Sequence, residues 1–426
     1  MQTEASVYHP HFGCIPSSWM VVDAIEACSK ITDGTHDTPK AVPDGQPYIK
    51  SVHIKNGEVD FDNCLFVSEA DHETIFRRCN PEKGDLLVVN IGAGNIGDCA
   101  YVTVDFEFSM KNIALLKPKK DTLNSLYFYY YYRSRQERIT HTAKTGGAQP
   151  FLSLKDLKKL KVVLPPINEQ CKIARILLTW DKAISTIERL IDNSKQQKKA
   201  LMQQLLTGKK RLLDDSGKPF EGEWVWSNLD TVCDVKGGKR LPKGNSLTEI
   251  PNNHPYIRVA DMYMGGVDTT NILYVPLDIV SSIKNYTIAK DDLFITVAGT
   301  LGIVGEVPAI LDGANLTENA DKLTNISCNK KFLLYVLKSP IIQRYVDAES
   351  TQNAQPKLAL TRIRSFKIPL PSSEEQQRIA TVLTNPDKEI ELLEQQLADL
   401  KQEKKALMQQ LLTGKRRVKI DDKESA

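Results

Sequence analysis

The sequence predicts a mixed α/β (α+β) chain made of one unit used twice, each unit closing in a long coiled-coil helix. Three observations carry this. Lys198–Lys209 recurs letter for letter at Lys404–Lys415, an offset of 206 in a chain of 426 residues. The apolar residues around and before each copy step by four and three, the coiled-coil spacing. Elsewhere, short β-branched runs alternate with turns rich in Gly, Pro, Asn and Asp.

The repeat extends upstream without a gap. Glu169-Gln170 answers Glu375-Gln376, Ile173-Ala174 answers Ile379-Ala380, Asp181 answers Asp387, and Ala148–Pro150 answers Ala354–Pro356. Leu152 and Leu154 answer Leu358 and Leu360. With small shifts of register, Pro47-Tyr-Ile-Lys50 and Gly57–Asp60 match Pro255-Tyr-Ile-Arg258 and Gly265–Asp268, and Trp19 with Cys28 matches Trp224 with Cys233. The strand-forming run Asp85–Ile91 and its Gly-rich turn match Asp292–Ala298 and its own. The copies are near-identical at their ends and diverge elsewhere. The polar stretch Gly208–Trp224 is the expected boundary between them.

Each unit ends in a helix. In the first copy the seam is Ile173, Leu177, Trp180, Ile184, Ile187, Ile191, Ser194, Lys198, Leu201 and Leu205. The second places Ile379, Leu383, Ile390, Leu393, Leu397, Leu400, Leu407 and Leu411 on the same face. Lys198 and Lys404 occupy one equivalent seam position, a polar break that could fix register or chain orientation. In the second copy Asn385-Pro386 reads as an N-cap with a first-turn proline. A short helix is therefore expected over about 374–383, and a long one from about 386 to Thr413-Gly414, where Gly ends it.

Composition excludes some classes. Apolar residues are 41% and charged residues 26%, values of a folded chain rather than a disordered or membrane-embedded one. No run approaches the roughly 18 apolar residues of a membrane span, and Met1–Ala5 lacks the features of a signal peptide. The eight cysteines are scattered with no C-x-x-C, so reduced core thiols are expected, and neither zinc nor a disulfide framework. Net charge is only +3.

Candidate catalytic motifs fail in turn. Gly92-Ala-Gly94-Asn-Ile-Gly97 has dinucleotide-loop spacing, but Asp98–Phe108 reads as a strand rather than the required helix. The second copy respaces its glycines as Gly299, Gly302 and Gly305, as a turn between strands would. Tyr127–Tyr132 could stack bases, yet its counterpart Phe332–Leu337 is largely aliphatic, which fits a packed helix. The seven histidines are isolated. There is no P-loop, no amino-methyltransferase motif and no catalytic set, so no enzyme activity is expected of this chain.

Basic residues gather in one loop: Lys236, Lys239, Arg240 and Lys243, punctuated by Gly and Pro, with no acid between them. Such a loop suits phosphate contact, and Arg or Lys there could read guanine; an ordinary solvated loop would look the same. The first unit's equivalent, Asp33–Lys40 with Thr35, His36 and Lys40, is nearly neutral. Matching loops with unlike chemistry are what two different specificities would produce.

Taken together, the Trp near the start, Pro-Tyr-Ile, the Gly-Asp-Leu strand, the Gly-rich turn, Ala-Gln-Pro, Leu-Pro-Pro-x-x-Glu-Gln-x-x-Ile-Ala and the closing Lys-Ala-Leu-Met-Gln-Gln-Leu-Leu-Thr-Gly-Lys resemble the specificity (S) subunit of type I restriction–modification systems. The second copy has Leu370-Pro371-Ser372 where the first has Leu164-Pro165-Pro166, and Asp291-Asp-Leu where the first has Gly84-Asp-Leu. The resemblance implies target recognition domains at 1–165 and 211–371, conserved antiparallel helical spacers at 166–210 and 372–415, and a polar tail at 416–426. It implies a non-catalytic, cytoplasmic reader of a bipartite target on double-stranded DNA. Two modification (methyltransferase) subunits carrying S-adenosylmethionine would dock on it, as would restriction subunits using ATP and Mg2+; this chain itself would hold no cofactor. The competing class is a tandem-domain coiled-coil scaffold without DNA specificity, favoured by the near-neutral charge. A helix of about 27 residues spans ~40 Å, close to the ~34–36 Å between half-sites one DNA turn apart.

Overall fold

The computed structural model describes residues 5–92, 95–144, 151–350 and 357–420. The repeated Ala-Gln-Pro segments lie outside them, as do Ala93 and Gly94 of the Gly-rich turn. The chain forms two compact units, and these are not the two sequence repeats. One comprises Met1–Glu188 with Gln396–Ala426; the other is Arg189–Gln395. Each therefore contains one β-rich region, the first part of the helix that follows it, and the last part of the other long helix.

In the first unit a four-stranded antiparallel sheet has the order Cys99–Tyr101, Leu86–Val89, Ile113–Pro118, Cys28–Asp33. The run Leu86-Leu-Val-Val89 is wholly buried because both faces of this sheet are covered. Leu86 and Val88 pack in the larger core with the tyrosines of helix Ser125–Lys144. Leu87 and Val89 face a second core with Ile49, Phe108 and Met110. A three-stranded sheet, Ser109–Lys111, Gln46–Lys50, Leu65–Val67, borders it.

The second unit repeats the scheme. Its sheet runs Asp234–Gly237, Ala320–Thr324, Leu293–Thr296, Val304–Glu306. Leu293 and Ile295 face one core and Phe294 the other. The Gly-rich turns join antiparallel strands in both units, as their spacing indicates. The strand expected over 98–108 is shorter, Cys99–Tyr101, because the chain leaves the sheet before joining the neighbouring one at Ser109. The tyrosine run lies within a helix with Tyr127, Phe128, Tyr130, Tyr131 and Tyr132 buried, and Phe332–Leu337 is buried in helix Lys330–Lys338. The cysteines are free thiols, with Cys28, Cys79, Cys99 and Cys233 buried.

The two long helices are Ile167–Leu205 and Ser373–Leu411, 39 residues each. The expected break at Asn385-Pro386 does not occur: Pro386 sits inside a continuous helix. Proline forfeits one backbone hydrogen bond there, roughly 3 kcal/mol. Burial on either side outweighs it, since Ile379, Leu383 and Ile390 are all buried. The seam itself is as read: Ile173 to Leu205 and Ile379 to Leu411 are buried or half-buried at every named seam position.

Within each unit the helical segments pair antiparallel. In the first, Lys401 pairs with Glu188 at 2.7 Å and Lys404 with Asp181. In the second, Lys195 pairs with Glu394 at 2.7 Å and Lys198 with Asp387. The closing segments explain their own identity. Leu205 and Leu206 belong to the core of the second unit, Leu411 and Leu412 to that of the first. Each therefore meets the same kind of surface.

Candidate nucleic-acid interface

The two loops singled out by sequence occupy one structural position. Each follows an edge strand of the four-stranded sheet and a glycine pressed against a neighbouring backbone. A Cβ on Gly34 would lie 2.1 Å from the Met110 carbonyl oxygen, and one on Gly238 2.1 Å from that of Thr317. Only glycine fits there. The next residue then donates its backbone N–H at the same place, Thr35 to the Met110 carbonyl (3.0 Å) and Lys239 to the Leu316 carbonyl (2.8 Å).

From this shared frame the side chains diverge. Thr35 is buried, and its hydroxyl oxygen accepts the Asp37 N–H at 3.1 Å. His36 is exposed, with Nδ1 3.0 Å from Asn112 Oδ1 and Nε2 3.1 Å from Asp33 Oδ2. Lys40 is exposed. In the second unit Arg240 Nε donates to Glu318 Oε1 at 2.6 Å. Glu318 stands in the loop before the central strand, as Asn112 does in the first unit. Burial pushes the Glu318 carboxyl up, but the hydrogen bonds from Arg240, its own backbone and Thr317 bring it below its ordinary value.

The four cations are thus not equally available. Lys236 lies in the strand rather than the loop and pairs with Asp234 at 3.1 Å. Arg240 remains 77% exposed, and its hydrogen bond to Glu318 is made through Nε, with no described partner at the terminal nitrogens. The Lys239 ammonium stands 5.4 Å from the Tyr286 ring centroid. Lys243 is exposed and forms no ion pair with a described residue. The sequence hid Glu318 because it lies 78 positions from Arg240.

Away from these loops, each unit contains a pair of polar clusters whose residues the sequence showed only as repeated letters or as the polar break in the seam. Glu169 is fully buried and accepts from Trp19 Nε1 (3.0 Å) and from Arg417 Nε and Nη2 (2.6 and 2.7 Å). Glu375 does the same with Trp224 Nε1 (3.1 Å) and Arg211 Nε and Nη2 (2.7 and 2.8 Å). The adjacent Gln170 and Gln376 close the chain against the Pro165 and Pro371 carbonyls at 2.8 and 2.9 Å. Arg417 and Val418, expected in a polar tail, thus pack into the first unit. Within the Gly208–Trp224 stretch, Leu212 and Trp224 pack on the core of the second unit, while most of the residues between them are exposed. Gly208, in the left-handed conformation, lies against the Trp224 ring.

A second cluster sits on the helical seam. Lys404 pairs with Asp181, which also accepts the Tyr130 hydroxyl at 2.5 Å. Lys198 pairs with Asp387, which accepts the Tyr335 hydroxyl at 2.7 Å. Both ammonium groups lie over the tyrosine rings, at 5.3 and 5.5 Å. The polar break in the seam is therefore satisfied on every side, and its signal was the recurrence of Lys and Asp at one offset.

The type I restriction modification DNA specificity domain matches twice, over residues 17–194 and 221–402. A Methanocaldococcus jannaschii protein provisionally assigned as the MjaX type I restriction enzyme specificity subunit is 28% identical over 426 residues, 96% of both chains. The MjaVIII specificity subunit of the same organism is 27% identical, covering 71% of this chain and 73% of its own. The S subunit of a type I restriction–modification system from M. genitalium shares the fold, with a TM-score of 0.59 at 19% identity, covering 95% of this chain and 97% of its own. With the repeated domain spanning most of its length, the chain belongs to the type I restriction–modification DNA specificity family.

Proposed function

We propose that the chain is the non-catalytic specificity subunit of a type I restriction–modification complex, reading a bipartite duplex target with one β-rich region per half-site. The observation that carries this is the matched loop position with unlike chemistry: a His36···Asn112 pair in one unit and an Arg240–Glu318 pair in the other. The backbone frame is kept and the reading groups change. Arg240 suits the role, because Glu318 fixes Nε and leaves the terminal nitrogens to face guanine O6 and N7. In this reading Lys239 and Lys243 contact phosphate and the exposed His36 and Lys40 contact DNA in the first unit, while buried Thr35 shapes the loop that carries them.

In this reading S-adenosylmethionine belongs to two modification subunits, and ATP with Mg2+ to restriction subunits. The complex acts in the cytoplasm; among the described residues no helix is long and apolar enough to cross a membrane. Sequencing the methylated sites of a host carrying the system tests it. Replacing residues 1–165 with the corresponding region of a relative should change one half of the methylated sequence and leave the other intact. Simultaneous change of both halves, or methylation without sequence preference, would overturn it.

A further inference from the structure

The second unit contains a buried acid that no described residue answers with a hydrogen bond. Asp321 is 5% exposed, yet neither carboxylate oxygen accepts a hydrogen bond from a described residue. It lines a cavity of about 430 Å³ whose other described walls are Val297, Glu318 and Lys357–Leu360. Glu318 is the residue that holds Arg240, so the cavity adjoins the basic loop. Lys357 at its edge is exposed, and Arg364, the other nearby cation, is turned to the Val235 carbonyl at 3.1 Å.

The first unit shows what an answered acid looks like at this place. In the edge pairing, Gly237 stands opposite Asp321 in the second unit, and Asp33 opposite Ala114 in the first. The acid has changed strands, and Asp33 is satisfied by Arg78 at 2.6 Å and His36 at 3.1 Å. A second observation falls at the same place. Asn90 corresponds to Val297, since each accepts a backbone N–H at 2.9 Å, from Leu152 and Leu358 respectively. Asn90 Oδ1 is buried with no hydrogen-bond partner. Both units thus hold an unanswered acceptor beside the loop that sequence reading singled out.

We propose that Asp321 is a specificity-determining residue of the second unit, accepting a hydrogen bond from the exocyclic amino group of a cytosine or adenine at the cavity beside Arg240. The proposal rests on the DNA-reading function above. With Glu318 engaged by Arg240, Asp321 is the carboxylate of this wall left without a described donor, between the aliphatic Val297, Leu358 and Leu360; it fits a neutral donor on a flat ring, as acid side chains accept from cytosine N4 in the major groove. A metal ion fits less well: Lys357 shares the wall, and no group of three metal-ligating side chains occurs among the described residues. Burial, the chief cause, raises the Asp321 carboxyl to about 6, with Lys357 and Arg364 opposing, so that it is ionised and accepting at neutral pH.

The test uses the complete chain assembled with its modification subunits, once methylome sequencing has given both half-sites. Duplexes are made in which each cytosine or adenine of the second unit's half-site is replaced by an analogue lacking only the amino group (2-pyrimidinone or purine, respectively). One position should lose about 5- to 150-fold in affinity for the wild-type complex, and Asp321→Leu, which keeps the shape and removes both acceptor oxygens, should abolish that difference while the other half-site is read as before. If every analogue binds as the parent base does, the proposal is overturned, and it is equally overturned if Asp321→Leu leaves the loss in place. Equal binding of analogues together with a Mg2+-dependent rise in melting temperature, absent in Asp321→Asn, would identify a cation site instead. Absence of any sequence preference in the wild-type complex would mark failure of the DNA-reading function, a separate outcome.

Discussion

A buried carboxylate stabilises a fold only when its hydrogen bonds and countercharge are supplied in place, and the chain contains both outcomes. Glu375 is answered by a bidentate guanidinium and an indole N–H. Glu375→Ala should cost about 2–4 kcal/mol in urea unfolding, less than a wholly buried pair because Arg211 is a quarter exposed. Glu375→Gln should cost less, since its carbonyl can still accept the Trp224 N–H. Asp321 is the opposite case. Burial raises its carboxyl from 3.8 to about 6, so the native state favours the protonated form. Its contribution is therefore most favourable below the unfolded value and is lost as pH rises through about 6. Asp321→Asn should raise the melting temperature above pH 6, by up to about 3 kcal/mol of stability, and the gain should vanish as pH falls toward 4. A gain independent of pH would show that the carboxylate is not the cause.

At the scale of elements, spacing was legible and local interruption misled. The four-three pattern located both helical seams because burial follows it turn by turn. Asn385-Pro386 carries a strong local start signal, but Leu383 and Ile390 on either side are fixed by packing that no local rule contains. Matching Trp180 in the first copy was the available hint that the helix passes through. Replacing Pro386 by Ala restores one backbone donor, so Pro386→Ala should stabilise the protein by about 1–3 kcal/mol, read as a higher melting temperature with unchanged target sequence. A fall would mean that the proline bends the helix to present Asp387 to Lys198 and Tyr335. The clusters around Glu169 and Glu375 were visible only as repeated letters. Charged residues kept at one offset signalled a shared structural demand, but their partners, up to 248 positions away, could be found only in three dimensions. The same distance concealed Glu318 behind Arg240, so the basic loop was legible and its neutralisation was not.

At the scale of the molecule, the sequence repeat and the compact unit are out of phase. The chain passes from one unit to the other inside both long helices, between Glu188 and Arg189 and between Gln395 and Gln396. This bears on the proposal that the helices set the spacing of the half-sites. An insertion near Gly208 would displace Leu205 and Leu206 from the core of the second unit and test packing instead. Four residues inserted at 188/189 alone would lengthen one helix between Asp181 and Lys198 while leaving its partner unchanged between Asp387 and Lys404. The two sets of ion pairs could not then both form, and activity should be lost. Matched four-residue insertions, at 188/189 and at 395/396, leave both sets intact. They add ~6 Å of rise with a net rotation of only ~40°, comparable to two base pairs at ~3.4 Å each. The doubly inserted complex should methylate the same two half-sites across a spacer one or two base pairs longer. Methylation of the original spacing by that complex would show that the docked modification subunits, rather than the helices, fix the distance.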